Sequence, residues 1–72
     1  MDNLIKQIET DFPELRWLVR SIDETEPMFT EHGVKYFAHI CNADYSRSYR
    51  GESGHSANDA LLIAYNFAKA AS

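Results

Sequence analysis

Hydrophobic positions in the first part of the chain recur at steps of three and four. They are Ile5, Ile8, Phe12, Leu15, Val19 and Ile22. This spacing is typical of one face of an α-helix. Pro13 would interrupt a single long helix, but Asp11 and Glu14 around it resemble the start of a second one. The pattern therefore predicts an N-terminal helix or a helix pair, over residues 2–10 and 12–22.

A β-strand is the alternative interpretation of residues 15–22. Leu15, Trp17 and Val19 alternate with Arg16, Leu18 and Arg20, and this period of two is typical of a half-buried strand. Helix is the leading prediction, and a third strand over 15–22 stays open.

The middle of the chain has the composition of a β-hairpin. Residues 34–41 are rich in β-branched and aromatic side chains, and residues 45–50 alternate with period two. A short polar link joins them, and Gly51 follows the second stretch. The pattern predicts a hairpin over about 34–50 with Gly51 at its end, whereas residues 23–33 are predicted to be a connection.

The C-terminal segment carries the strongest local signals. Ser56 and Asp59 form a capping box, and the residues that follow favour a long helix over 56–71. Its apolar arc is wider than one sheet can bury, so a second surface is expected to cover the rest. That surface is either the N-terminal helix or a second subunit. The residues predicted for a homodimer interface are Leu61, Ala64, Phe67 and Ala68.

These elements predict an α+β fold with a small antiparallel sheet. The 72 residues are too few for two hydrophobic cores, so residues 1–72 are expected to form a single small domain. So small a core supplies little net stability, which favours an oligomer.

Charge and cysteine content narrow the expected partners and location. The net charge of −4 disfavours nucleic acid as a partner. Most acidic residues lie in positions 1–32, whereas positions 33–72 are slightly basic. A single cysteine, Cys41, indicates a reducing compartment, and no apolar stretch predicts export or a membrane span. We therefore expect a cytoplasmic protein with no membrane association.

Two groups of residues contain side chains that occur in metal sites or in hydrolase active sites. His39 and Cys41 would share one sheet face, but a zinc site needs about four ligands. Ser53 and His55 lie in a strand-to-helix loop, but their spacing differs from that of a nucleophile elbow. The sequence predicts no catalytic residues, no metal and no cofactor; a small metal-dependent or Ser/His hydrolase is the last alternative.

Two surfaces are candidates for binding another protein. One is the predicted second strand, whose Tyr and Arg side chains have the composition of binding hot spots. The other is acidic. The predicted partner-binding residues are Tyr45, Arg47, Tyr49 and Arg50 on the strand, with Asp23, Glu24 and Glu26 in the acidic half.

The C-terminal half resembles two families of small proteins. The residues that carry the resemblance are 36–40, Tyr49, Gly51 and 54–62. One family is the phage ABA-sandwich family, with a sheet between helices and a terminal Ala/Leu-rich helix. The other is the HicB-type antitoxin, in which a small sheet leads through a turn into an Ala-rich helix. The first resemblance implies a phage or prophage accessory protein with a counter-defence role, a non-enzymatic inhibitor that occupies the surface of a host protein. The second implies an antitoxin that neutralises its cognate toxin.

Overall fold

The computed structural model describes residues 2–72. Within them the chain forms three helices and a three-stranded antiparallel sheet, which confirms the predicted α+β class. The elements in chain order are α1 (Asp2–Asp11), β1 (Arg16–Ser21), α2 (Pro27–His32), β2 (Tyr36–Cys41), β3 (Ser48–Ser53) and α3 (Ala57–Ala70). None of the helices in this part of the chain has the length and apolar character needed to cross a membrane.

The leading prediction of a second helix over residues 12–22 is wrong, and the alternative strand is correct. Helix α1 ends at Asp11, and β1 then pairs antiparallel with β2 along its whole length. Pro13 explains the end of the helix, because a proline disfavours helical backbone at the residue before it. The apolar positions of this stretch fit both periods, and pairing with β2 selects the strand.

The hairpin is confirmed, but its second strand lies three residues later than predicted. Strand β3 covers Ser48–Ser53, so Gly51 lies inside it and does not end it. The structure shows why glycine is needed there. A Cβ atom at Gly51 would overlap the backbone oxygen of Ala60 and lie 2.8 Å from the nitrogen of Ala64. Helix α3 therefore crosses β3 at a distance that only glycine permits.

Helix α3 starts as the sequence predicts. The Ser56 hydroxyl accepts a hydrogen bond from the Asp59 backbone N–H at 3.0 Å. The helix packs on all three strands, and α1 packs alongside it. The core between these elements consists of Ile8, Phe12, Leu15, Ala38, Ile40, Ala60, Leu61, Ala64, Tyr65 and Ala68.

The part of the wide apolar arc of α3 that faces the sheet is covered by its own chain, whereas Ile63 on its outer part stays 38% exposed. Leu61, Ala64 and Ala68 are fully buried in the core, so they are not available to a second subunit as predicted. Of the four residues predicted for a homodimer interface, only Phe67 is open, with 57% of its surface exposed. The reason is that α1 and the sheet together cover the side of α3 that one sheet alone would leave bare.

A hydrogen-bonded contact joins the end of α1 to α3. The Tyr65 hydroxyl donates to the Asp11 carboxylate, and Lys69 lies 3.8 Å from the same carboxylate. The hydrogen bonds from Tyr65 and then Gln7 hold the pKa of Asp11 below its ordinary value, and the Lys69 charge adds to them. This pairing offsets the unfavourable position of a negative charge at a helix C-terminus.

The predicted connection contains one short helix, α2, which the sequence analysis did not anticipate. Pro27 occupies its first turn, where the missing N–H costs nothing, and Gly33 ends it with a φ of 68°. Side chains of α1 join the core between α3 and the sheet, and within residues 2–72 no helix contacts the other face of the sheet. The phage ABA-sandwich resemblance implies a sheet between helices, which differs from this one-sided arrangement.

Candidate binding surface on the sheet

One face of the sheet points away from α3. The strand register places on it every second residue of each strand, because side chains alternate between faces. These residues, here called the open face, are Arg16, Leu18 and Arg20 of β1, Phe37, His39 and Cys41 of β2, and Ser48, Arg50 and Glu52 of β3.

On the edge strand β1, the open face contains an exposed apolar side chain. Leu18 lies opposite His39 in the register and has 44% of its surface exposed. Beside it, the Arg20 guanidinium lies 5.7 Å from the centre of the Phe37 ring. Such a contact is a favourable cation–π geometry. The open face therefore presents apolar and cationic side chains together. This composition differs from that of a solvated sheet face that carries only polar side chains.

The β2–β3 loop places an aromatic ring at the rim of this face. The Tyr45 ring stacks on the His39 ring with centroids 6.0 Å apart and an angle of 12°. Tyr45 has a φ of 60°, a backbone conformation that costs a non-glycine residue about 1–2 kcal/mol. The loop is held by Asn42, whose side chain accepts from the Arg47 N–H at 3.0 Å. On its other side, the His39 ring is hydrogen-bonded to the Ser48 hydroxyl.

Charge is segregated between the open face and the rest of the chain. Arg16, Arg20 and Arg50 lie on the face with Glu52, an excess of two positive charges, and the opposite charges of Lys35, one residue before β2, and Glu26, beside Arg20, cancel each other. Because the whole chain carries −4, the remainder carries about −6 by simple charge counting. The surface that lacks a helix is thus the basic part of an acidic protein.

Only some of the residues predicted to form a binding surface on the second strand lie on one face of the sheet. Arg50 lies on the open face and Tyr45 at its rim, but β3 begins at Ser48, so Tyr45 and Arg47 belong to the loop. Tyr49 lies on the opposite face and packs against the core. Arg47 donates a hydrogen bond to Glu14 at 2.8 Å and lies over the Phe12 ring. Its contacts hold the β2–β3 loop against the segment after α1.

The predicted acidic residues lie in the turn after β1 and have mostly local contacts. The Asp23 carboxylate accepts from the N–H and the hydroxyl of Thr25, which lowers the pKa of Asp23. Glu26 lies 3.5 Å from the Arg20 guanidinium, at one end of the open face. Glu24 is exposed. Of the three, Glu26 is the residue that adjoins the candidate surface.

The residues considered for a metal site or a hydrolase active site have structural contacts instead. His39 and Cys41 share a face as predicted, but Cys41 is buried. Within residues 2–72 no three His, Cys, Asp or Glu side chains converge as a metal site would require, and no pocket is found. The Ser53 hydroxyl accepts hydrogen bonds from the N–H groups of His55 and Ser56, at 3.0 and 3.3 Å. Ser53 therefore shapes the turn before α3.

The residues that the sequence analysis missed lie on β1. Arg16, Leu18 and Arg20 are the residues that β1 contributes to the open face, and Trp17 is exposed on the other side of the same strand. The signal was the period of two in residues 15–20. This period identifies Arg16, Leu18 and Arg20 as residues of one face only if the segment is interpreted as a strand and not as a helix.

The chain matches no protein-family model, and no curated protein or solved structure is significantly similar to it. The phage ABA-sandwich and HicB-type resemblances therefore stay predictions.

Proposed function

We propose that this chain is a non-enzymatic binding module that acts by occupying the surface of another protein with the open face of its sheet. The observation that carries this proposal is Leu18, a large apolar side chain in the middle of β1 that is 44% exposed, on a sheet face that no helix within residues 2–72 contacts. Leu18 lies opposite the half-buried His39 ring and diagonal to the half-buried Phe37 ring, and apolar surface with a charged rim is typical of interaction sites.

The side chains around Leu18 support the proposal. Arginine and aromatic residues are enriched among the residues that contribute most to binding energy. Here Arg16 is beside Leu18 on β1, Arg50 lies across β2 from Leu18, and the stacked His39 and Tyr45 rings add aromatic surface. Rigid side chains lose little conformational entropy when a partner binds.

In its narrower form, the proposal is that the partner is a host protein and that the chain is a phage or prophage counter-defence protein. The order of elements, with a helix first and a long Ala-rich helix last, supports it because the phage ABA-sandwich resemblance implies the same order. Expression of the chain should then restore plating of a phage that the host restricts. Leu18→Asp should abolish this effect.

Site-specific cross-linking tests the binding surface. A photo-reactive amino acid replaces Leu18 in one variant and Leu62 in another, and both are irradiated in the producing cell. Leu62 is the matched control, because it is a leucine of similar exposure, 39%, on the outer side of α3. We expect a discrete protein adduct from position 18 that is absent from position 62. Adducts from position 62 alone would show that α3, and not the open face, contacts the partner.

A further inference from the structure

Strand β1 is an edge of the sheet with an unusual composition. The strand order β1-β2-β3 leaves one side of β1 without a neighbouring strand. Large apolar side chains are exposed on both of its faces, Leu18 at 44% and Trp17 at 36%. Edge strands of this kind are a template for pairing with another chain. The opposite edge, β3, has Gly51 at its centre and polar residues around it.

The backbone groups of β1 that face the free edge follow from its pairing. The Ile22 N–H donates to the Lys35 carbonyl at 2.9 Å, so residues of even number in β1 direct their backbone groups toward β2. The odd-numbered residues Trp17, Val19 and Ser21 therefore direct their N–H and C=O groups outward. An added strand would bond to these groups.

We propose that the partner contributes an acidic extended segment that adds to the sheet along β1, with an apolar residue beside Leu18 and carboxylates beside Arg16 and Arg20. This inference rests on the proposed function and specifies its mode and chemistry. Arg16, Leu18 and Arg20 alternate on one face, so the complementary sequence is acidic-x-apolar-x-acidic. Arg–carboxylate pairs add geometric specificity to such a contact.

Charge favours this occupant over a second copy of the chain. Two antiparallel copies of β1 centred on Leu18, with their open faces on one side, would place Arg16 of each opposite Arg20 of the other. Like charges directly opposite each other destabilise a strand pair.

Charge also favours a short acidic protein segment over nucleic acid. A strand of nucleic acid continues beyond the open face and would meet the strongly acidic remainder of the chain. An acidic peptide segment can confine its negative charge to the length of β1.

A synthetic peptide with the core Glu-Thr-Leu-Thr-Glu tests the mode of binding. Amide hydrogen exchange is measured on the whole chain with and without the peptide. We expect slowed exchange at the outward N–H groups of Trp17, Val19 and Ser21. The N–H groups of Arg50 and Glu52, which the same alternation directs to the free edge of β3, serve as the internal control and should not change.

Charge-reversal variants test the chemistry. Arg16→Glu should lower the affinity for the Glu peptide at least fivefold. Arg20→Glu should lower this affinity less, because Glu26 already pairs with Arg20. Lys6→Glu is the matched control, since it makes the same change of charge at an exposed position of α1. It should change affinity less than twofold. The double variant Arg16→Glu, Arg20→Glu should prefer a Lys-Thr-Leu-Thr-Lys peptide.

The outcomes separate this inference from the proposed function. A Leu18 cross-link without protection of the β1 amides by the Glu peptide would overturn strand addition and leave the binding surface intact. Equal binding of the Lys peptide, or stronger binding of an eight-nucleotide oligothymidylate, would overturn the acidic assignment. Absence of the Leu18 cross-link would overturn the proposed function itself.

Discussion

At the scale of single residues, Asp11 links the pH dependence of stability to the α1–α3 contact. Its pKa is lowered chiefly by the hydrogen bond from Tyr65. A carboxyl group with a lowered pKa in the folded state stabilises the fold above its unfolded pKa, and this contribution is lost as pH falls through the folded pKa.

We therefore predict that the free energy of unfolding falls as pH is lowered below about 4, and that Asp11→Asn makes this fall shallower. Urea denaturation at several pH values measures the slope. Tyr65→Phe removes the largest cause of the pKa shift and should flatten the slope in the same direction. An unchanged slope in both variants would mean that this contact does not govern acid stability.

At Tyr45 the backbone conformation and the side-chain contact have opposite effects on the stability of the fold. Its φ of 60° is unfavourable, whereas its ring gains contact with His39. Tyr45→Gly removes both effects, but Tyr45→Ala removes only the ring contact. We predict that the Ala variant is less stable than the Gly variant by about 1 kcal/mol, the cost of a left-handed non-glycine residue. Thermal unfolding of the two variants measures this difference, and equal stability would contradict the strained turn.

At the scale of secondary-structure elements, the close crossing of β3 and α3 depends on Gly51. A Cβ there meets the backbone of Ala60, which cannot move without displacing the helix. We predict that Gly51→Ala destabilises the fold by about 3 kcal/mol or more, as for severe overpacking. Chemical denaturation provides the measurement.

Gly33→Ala is the control for Gly51→Ala. Nothing lies within 4 Å of a Cβ at Gly33, so this change meets only the strain of its φ of 68°. It should cost about 1 kcal/mol. Similar losses in the two variants would show that conformational strain, and not the crossing distance, explains the effect at Gly51.

At the scale of the whole molecule, α3 has one face inside the domain and one outside. Ala64 is fully buried, whereas Phe67 is 57% exposed. We predict that Ala64→Asp unfolds the protein, because a carboxylate in a packed core has no partner. Phe67→Asp should change stability by less than about 1 kcal/mol. The homodimer is still a prediction and now rests on Phe67, so Phe67→Asp should convert it to a monomer in analytical ultracentrifugation.

The binding surface also belongs to this scale, because no single element contains it. Arg16 and Leu18 come from β1, His39 from β2 and Arg50 from β3. Arg50 and Tyr45 were predicted to bind from composition together with Tyr49, which lies on the other face. Neighbouring residues of one strand always point to opposite faces, and the pairing of β3 with β2 decides that Tyr49 faces the core and Arg50 the open face.

The sequence by itself determined the elements whose stabilising interactions are local. The cap at Ser56, the long helix α3 and the existence of a hairpin depend on contacts between residues close in the chain, so their residue types predict them. Tertiary structure alone decided that residues 16–21 form a strand, because their partners on β2 lie 15–25 positions further along the chain. It also decided that the inner part of the α3 arc is buried, that Phe67 at its outer part is exposed, and that the basic face of the sheet is open. The physical reason is that burial and pairing depend on neighbours distant in sequence, and local periodicity carries no information about which neighbours these are.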